Sequence, residues 1–153
     1  MPTKSRKVGA VTKKTEQPRN IDRSFIRDEE IRNIKHEGRS GFLIRVRLPS
    51  YRSLPLSCIE KIDINIDGAS INSRDITFIL NGYSHKLEEL GQLSRIFWFI
   101  LDYAELFVEW KEPLSAGEHV VSGTMVIVEP YMTVGRFPFF YSAQKRLSVA
   151  TDF

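Results

Sequence analysis

The chain has 153 residues, a single cysteine and a formal charge of +3, a length that fits one domain with a core large enough to need no disulfide staples. Residues 1–20 hold six basic side chains against Glu16. The body that follows is therefore slightly acidic, unlike the basic groove or stripe of a nucleic-acid-binding domain, and no nucleic acid is expected as a partner. The longest continuous apolar run, Ile96–Leu101, is far short of the roughly 20 residues needed to span a bilayer, so it reads as core or interface and no membrane is expected. No apolar stretch follows the basic start, so export is not expected, and the lone Cys58 agrees with a reducing cytoplasm.

Taken in chain order, residues 1–28 read as a basic, mostly disordered arm, and residues 29–153 as the folded domain. From Ile31 onward the apolar period is close to two, the mark of strands with one buried face. Phe42, Ile44, Val46 and Leu48 alternate with Leu43, Arg45 and Arg47, and the run stops at Pro49, which cannot donate to a ladder. Ile62, Ile64 and Ile66 repeat the pattern up to Asp67-Gly68, and Ile76, Phe78 and Leu80 lead into Asn81-Gly82. Both dipeptides suit the positive φ angles of tight hairpin turns, and two hairpins in succession imply an antiparallel meander.

Leu87–Leu93 predicts one or two helical turns, kept short by Gly91. Strand character resumes through Ala104, Leu106, Val108 and Trp110. A long strand from His119 to Glu129 is apolar on both sides in places, as a central or interface strand would be. An aromatic-rich stretch, Tyr131–Tyr141, precedes a last strand through Ala143, Leu147 and Val149. The expected fold is an all-β antiparallel β-sandwich of about seven to eight strands with one short helical connector.

The residues that carry chemistry are scattered. His36, His85 and His119 are far apart and no HExxH or paired CxxC spacing occurs, so no metal site is expected on this chain. Gly38-Arg39-Ser40-Gly41 is one residue too short for the GxSxG elbow, and neither GxGxxG nor a P-loop is present. Acidic pairs such as Glu88-Glu89 read as solvated, and no catalytic residue is assigned.

Two stretches read as contact surfaces. In Arg45–Cys58, the residues Arg47, Tyr51, Arg52 and Pro55 leave a strand in a Pro-stiffened loop that either meets a partner or ligand or packs Tyr51 on its own sandwich. In the second, Phe137, Phe139, Phe140 and Tyr141 cannot all face inward on one strand, and aromatics and Arg are the types enriched at interfaces. These eight residues are the candidates for contact with a partner or its substrate.

In order, IRVRLPSYRSLPLS (44–57), IDINIDG (62–68), DITFILNGYSHKLEEL (75–90) and LSAGEHVVSGTMVI (114–127) resemble the β subunits of bacterial C-glycoside deglycosidases. The most specific pieces are the Arg-x-Pro-x-Tyr-Arg-x-x-Pro-Leu-Ser run, Arg47 to Ser57, and Ala-Gly-Glu-His, Ala116 to His119. The resemblance implies a small β-sandwich paired, in a hetero-oligomer, with a barrel-fold α subunit. That subunit would carry a divalent metal, Mn or Mg, and the acid and base residues. It implies cleavage, by elimination, of the C–C bond between a 3-dehydro sugar and a flavonoid-type aglycone. This chain would be a lyase subunit without activity of its own and without a cofactor. The alternative is a freestanding carbohydrate-binding or protein-interaction β-sandwich.

Overall fold

The computed structural model describes residues 24–128 and 138–150. Among them are strands β1 (Arg32–His36), β2 (Arg39–Arg47), β3 (Leu54–Pro55), β4 (Ile59–Ile66), β5 (Ala69–Ser70), β6 (Ile76–Leu80), β7 (Tyr83–Lys86), β8 (Phe97–Trp98), β9 (Tyr103–Glu109), β10 (Glu118–Val128) and β11 (Pro138–Ser148). One sheet has the order β1-β2-β9-β6-β7, the second β11-β10-β4-β5, and β3 pairs with β8 alone. Three of these strands have only two residues. The fold is all-β with longer strands matching the expected number, and Leu87–Gln92 forms the expected connector as a 3₁₀ turn.

The alternation read from the sequence sets the buried faces. Phe42, Ile44 and Val46 of β2, Ala104, Leu106 and Val108 of β9, and Ile76, Phe78 and Leu80 of β6 meet Ile62, Ile64 and Ile66 of β4 and Val121, Met125 and Ile127 of β10 in one core. β10 is central in its sheet, as its two apolar sides suggested. Between Val126 and Ile127 its register against β4 slips, so Ile59 turns inward together with Ile62, as a β-bulge allows.

Three expectations are corrected. The two hairpins do not form a meander, because β4-β5 closes one sheet and β6-β7 the edge of the other. The folded body begins ahead of residue 29: Phe25 and Ile26 are fully buried, and Ile26 bridges to Val46. The last strand starts at Pro138 and takes in Phe139–Tyr141, which pair with Ile127, Val126 and Met125. The remaining part of the arm, residues 1–23, lies outside the described residues.

The turns follow local chemistry. Asp67-Gly68 (φ 48° and 84°) and Asn81-Gly82 (φ 53° and 85°) sit in the left-handed region that a two-residue hairpin needs. Glu37-Gly38 (φ 51° and 80°) makes a third such turn between β1 and β2. It places the rejected Gly38–Gly41 stretch in a hairpin and the strand after it.

Phe107 lies on the outer face of the five-stranded sheet and is nevertheless fully buried. His36 (ring centroids 5.2 Å apart) and the Arg39 guanidinium (5.8 Å) cover it. His36 Nε2 also meets Ser84 Oγ at 3.1 Å, so the two edge strands β1 and β7 reach one another and the sheet curls around this ring. The ring fits because Gly41 beneath it has no side chain. A Cβ there would lie 2.0 Å from the Val108 carbonyl oxygen and 2.8 Å from Phe107 Cζ. Gly41→Ala should therefore cost about 2–4 kcal/mol and lower the melting temperature by several degrees in thermal denaturation. An unchanged melting temperature would contradict the β2–β9 packing.

Candidate functional site

One end of the sandwich gathers the exit of β2, the beginnings of β4, β9 and β11, and the last residues of β10. The described sequence candidates are found here. Arg47 pairs in register with Tyr103, and its backbone N–H donates to the Phe25 carbonyl at 2.8 Å. Tyr51 is 71% exposed, with the Arg52 guanidinium 5.3 Å from its ring centre, so it does not pack on its own sandwich. Pro55 pairs with Phe97. Phe140 points out from its sheet, whereas Phe139 and Tyr141 share the core side of β11 and Tyr141 packs against the core. Phe137 lies outside the described residues.

Phe97, Phe99, Leu101 and Tyr103 are not among the sequence candidates, and the structure places them exposed at the same end. Trp98 is fully buried, its ring edge-on to Phe78 at 5.3 Å and its indole N–H donating to the Asp102 carbonyl at 3.0 Å. Strand alternation about this anchor then turns Phe97 and Phe99 outward, where their rings stack 6.3 Å apart. Leu101 is 93% exposed. The segment is held by further hydrogen bonds: Leu56 N–H to the Ile96 carbonyl (2.8 Å), Ser57 N–H to the Leu93 carbonyl (3.1 Å), and Ile100 N–H to Ser53 Oγ (2.8 Å). The available signal was the apolar run with a Trp at its centre.

Tyr103 sits between two arginines, the Arg45 guanidinium 4.4 Å and that of Arg27 5.5 Å from its ring centre. Arg45 donates to Glu29 at 2.7 Å and to Glu105 at 3.4 Å, and Arg27 also pairs with Glu29. Burial alone would raise the Glu29 carboxyl, but the Arg45 and Arg27 hydrogen bonds outweigh it and hold it below the usual carboxylate range. The network fixes the ring as a rigid part of the surface.

The opposite end has a different design. His119 Nδ1 meets Asp67 Oδ2 at 2.6 Å and its Nε2 meets the Ser115 carbonyl at 2.9 Å, while Asp67 Oδ1 accepts from the Val120 N–H at 2.9 Å. Both ring nitrogens face acceptors, which a doubly protonated imidazolium satisfies. The Asp-Gly turn and the Ala-Gly-Glu-His piece thus form one clamp. Among the described residues, no three His, Cys, Asp or Glu side chains come together as metal ligands would. No helix among them is long and apolar enough to cross a membrane.

The comparisons with known proteins decide the family. The family model for C-glycoside deglycosidase beta subunits matches residues 21–131. The chain belongs to this family. It is 34% identical over 112 residues to the 3'-dehydrocarminate deglycosidase beta subunit of a Microbacterium species, covering 72% of this chain and 84% of that protein. It is 29% identical over 97 residues to a C-glycoside deglycosidase beta subunit of Arthrobacter globiformis, covering 63% and 70%. A beta subunit from Eubacterium cellulosolvens is 28% identical over 114 residues, covering 73% and 78%. A beta subunit works beside a partner subunit, and the family match spans the clamp and, at the aromatic end, the stretches around Tyr51 and Trp98.

The clamp gives a pH prediction. Asp67 raises the His119 pKa above the ordinary imidazole value, helped by the Ser115 carbonyl, so its stabilisation is full below about pH 6.5 and is lost as pH rises through the raised value. The His119 hydrogen bond and the Val120 N–H lower the Asp67 carboxyl, so its contribution is present above about pH 4 and is lost as pH falls through the depressed value. Urea unfolding should show wild-type stability falling on both sides of the window between about pH 4 and 6.5, and the His119→Gln variant losing the alkaline fall. Parallel profiles for the two proteins would contradict the clamp.

Proposed function

We propose that this chain is the accessory subunit of a heteromeric C-glycoside deglycosidase, a carbon–carbon lyase of the cytoplasm whose acid and base residues lie on a separate barrel-fold alpha subunit. The observation that carries the reading is the beta-subunit family match over residues 21–131. The relative named for a 3'-dehydro substrate supports an oxidised C-glycoside as the compound cleaved. The rigid aromatic end supports a role fulfilled against another chain.

The chemistry follows from the substrate class. A ketone at C3 acidifies the C2 proton, and a base removes it to leave an enolate. Collapse of the enolate forms a C1–C2 double bond while the bond from C1 to the aglycone breaks. Its electron pair takes up a proton on the aglycone carbon, so no net redox change occurs. A divalent metal, Mn or Mg, held by the alpha subunit would supply positive charge that stabilises such an enolate. On this reading the chain contributes stability and shape to the assembled enzyme.

Purified separately and together with the barrel protein, the two chains test the reading. Turnover of a 3-dehydro C-glycoside with a flavonoid-type aglycone is expected from the pair and not from this chain alone. Activity of the isolated chain would overturn its accessory role, and failure of the two proteins to associate would overturn the heteromeric reading.

A further inference from the structure

We propose that the face built by Tyr51, Phe97, Phe99, Leu101 and Tyr103 is the surface that docks onto the catalytic partner subunit, at an apolar spot ringed by acidic side chains. The assignment rests on the reading that this chain pairs with a separate barrel-fold subunit. It adds which of this chain's surfaces makes the contact and what the partner offers there.

Three observations carry it. The first is concentration of exposed apolar surface: Tyr51, Ile96, Phe97, Phe99, Leu101 and Tyr103 come from two stretches that β3 and β8 bring together. Exposed large apolar side chains gathered in two adjoining stretches of a folded domain mark an interaction site rather than chance exposure.

The second is rigidity. Trp98 is sunk into the core against Phe78, and its indole N–H closes the Trp98–Asp102 loop. The Asp102 N–H donates to the Phe99 carbonyl at 2.9 Å, and Ser53 holds the Ile100 N–H from the facing loop. Phe97, Phe99 and Leu101 are thereby presented in fixed positions, so docking orders little that is not already ordered. A loop that merely leaked core residues would not be tied at both ends and at its centre.

The third is charge. Arg27 and Arg45 flank the Tyr103 ring and Arg52 lies beside that of Tyr51. Arg95 precedes Ile96 in the same stretch. The carboxylates among them are Glu29 and Glu105, both engaged by Arg45, and Asp102 between Leu101 and Tyr103, three against four arginines. The rim is therefore net basic, and an aromatic centre with arginines at its edge is complementary to an apolar pocket bordered by carboxylates. A second copy of this face would bring the two basic rims together, which disfavours self-pairing.

The test measures binding of the full chain to the barrel-fold subunit by titration calorimetry, with sedimentation of each protein alone. Phe99→Asp and Leu101→Asp change exposed side chains and should leave the melting temperature as it is. Each should weaken binding about 30-fold or more, as loss of a central apolar anchor does. Ser148→Asp, exposed at the opposite end, should bind as the wild type does. Wild-type affinity in both face variants would overturn the assignment while leaving the two-subunit reading intact. So would self-association of the wild-type chain that Leu101→Asp abolishes without touching partner binding. A wild-type chain that does not bind the barrel protein at all overturns both, and that failure is visible before any variant is made.

Discussion

The buried indole of Trp98 is the constraint on which the exposed aromatic end of this molecule depends. With its ring locked against Phe78 and its N–H spent on the Asp102 carbonyl, the chain between the 3₁₀ connector and β9 has one way to run. Strand alternation does the rest: fixing Trp98 inward sends Phe97 and Phe99 outward. β3 is drawn alongside by pairing of Leu54 with Trp98 and Pro55 with Phe97, which brings the Tyr51 loop next to the same surface. Truncating Trp98 would remove about 3–5 kcal/mol of packing by the usual scale of such losses, and it would also release the side chains that the anchor aims.

The two ends of the sandwich divide the work. At one, His119, Asp67 and the Ser115 carbonyl tie the β4–β5 turn to the beginning of β10, a polar clamp that fixes where two strands start and stop. At the other, apolar side chains are held outward by backbone hydrogen bonds together with those of the Trp98 indole and the Ser53 hydroxyl. The two most specific pieces of the family resemblance fall one at each end: Ala116–His119 helps build the clamp, and Arg47–Ser57 builds one half of the exposed face. The division agrees with the accessory role proposed for the chain, since a rigid apolar face against a partner needs a scaffold that does not yield behind it.

Much of the fold was legible because period-two patterning and turn chemistry act locally. Phe42, Ile44 and Val46 announce a buried strand face, and Asp67-Gly68 and Asn81-Gly82 announce their turns. Glu37-Gly38 escaped because Glu seldom adopts a positive φ, and only the pairing of β1 with β2 holds it there. Which sheet each hairpin joins was not readable, since β4 and β6 are assigned by long-range pairing with β10 and β9. Of the face proposed for docking, only half was among the sequence candidates. Tyr51, Arg52 and Pro55 stood out beside their prolines, whereas six apolar residues from Ile96 to Leu101 read equally as core until one indole donor decided which of them turn inward.

Hydrogen exchange followed by mass spectrometry, on the full chain alone and in the presence of the barrel-fold subunit, tests the central claim most directly. Slower exchange confined to the segments around residues 49–57 and 94–103 is the result the account predicts. Protection centred on the His119–Asp67 end, with no change around Trp98, would contradict it.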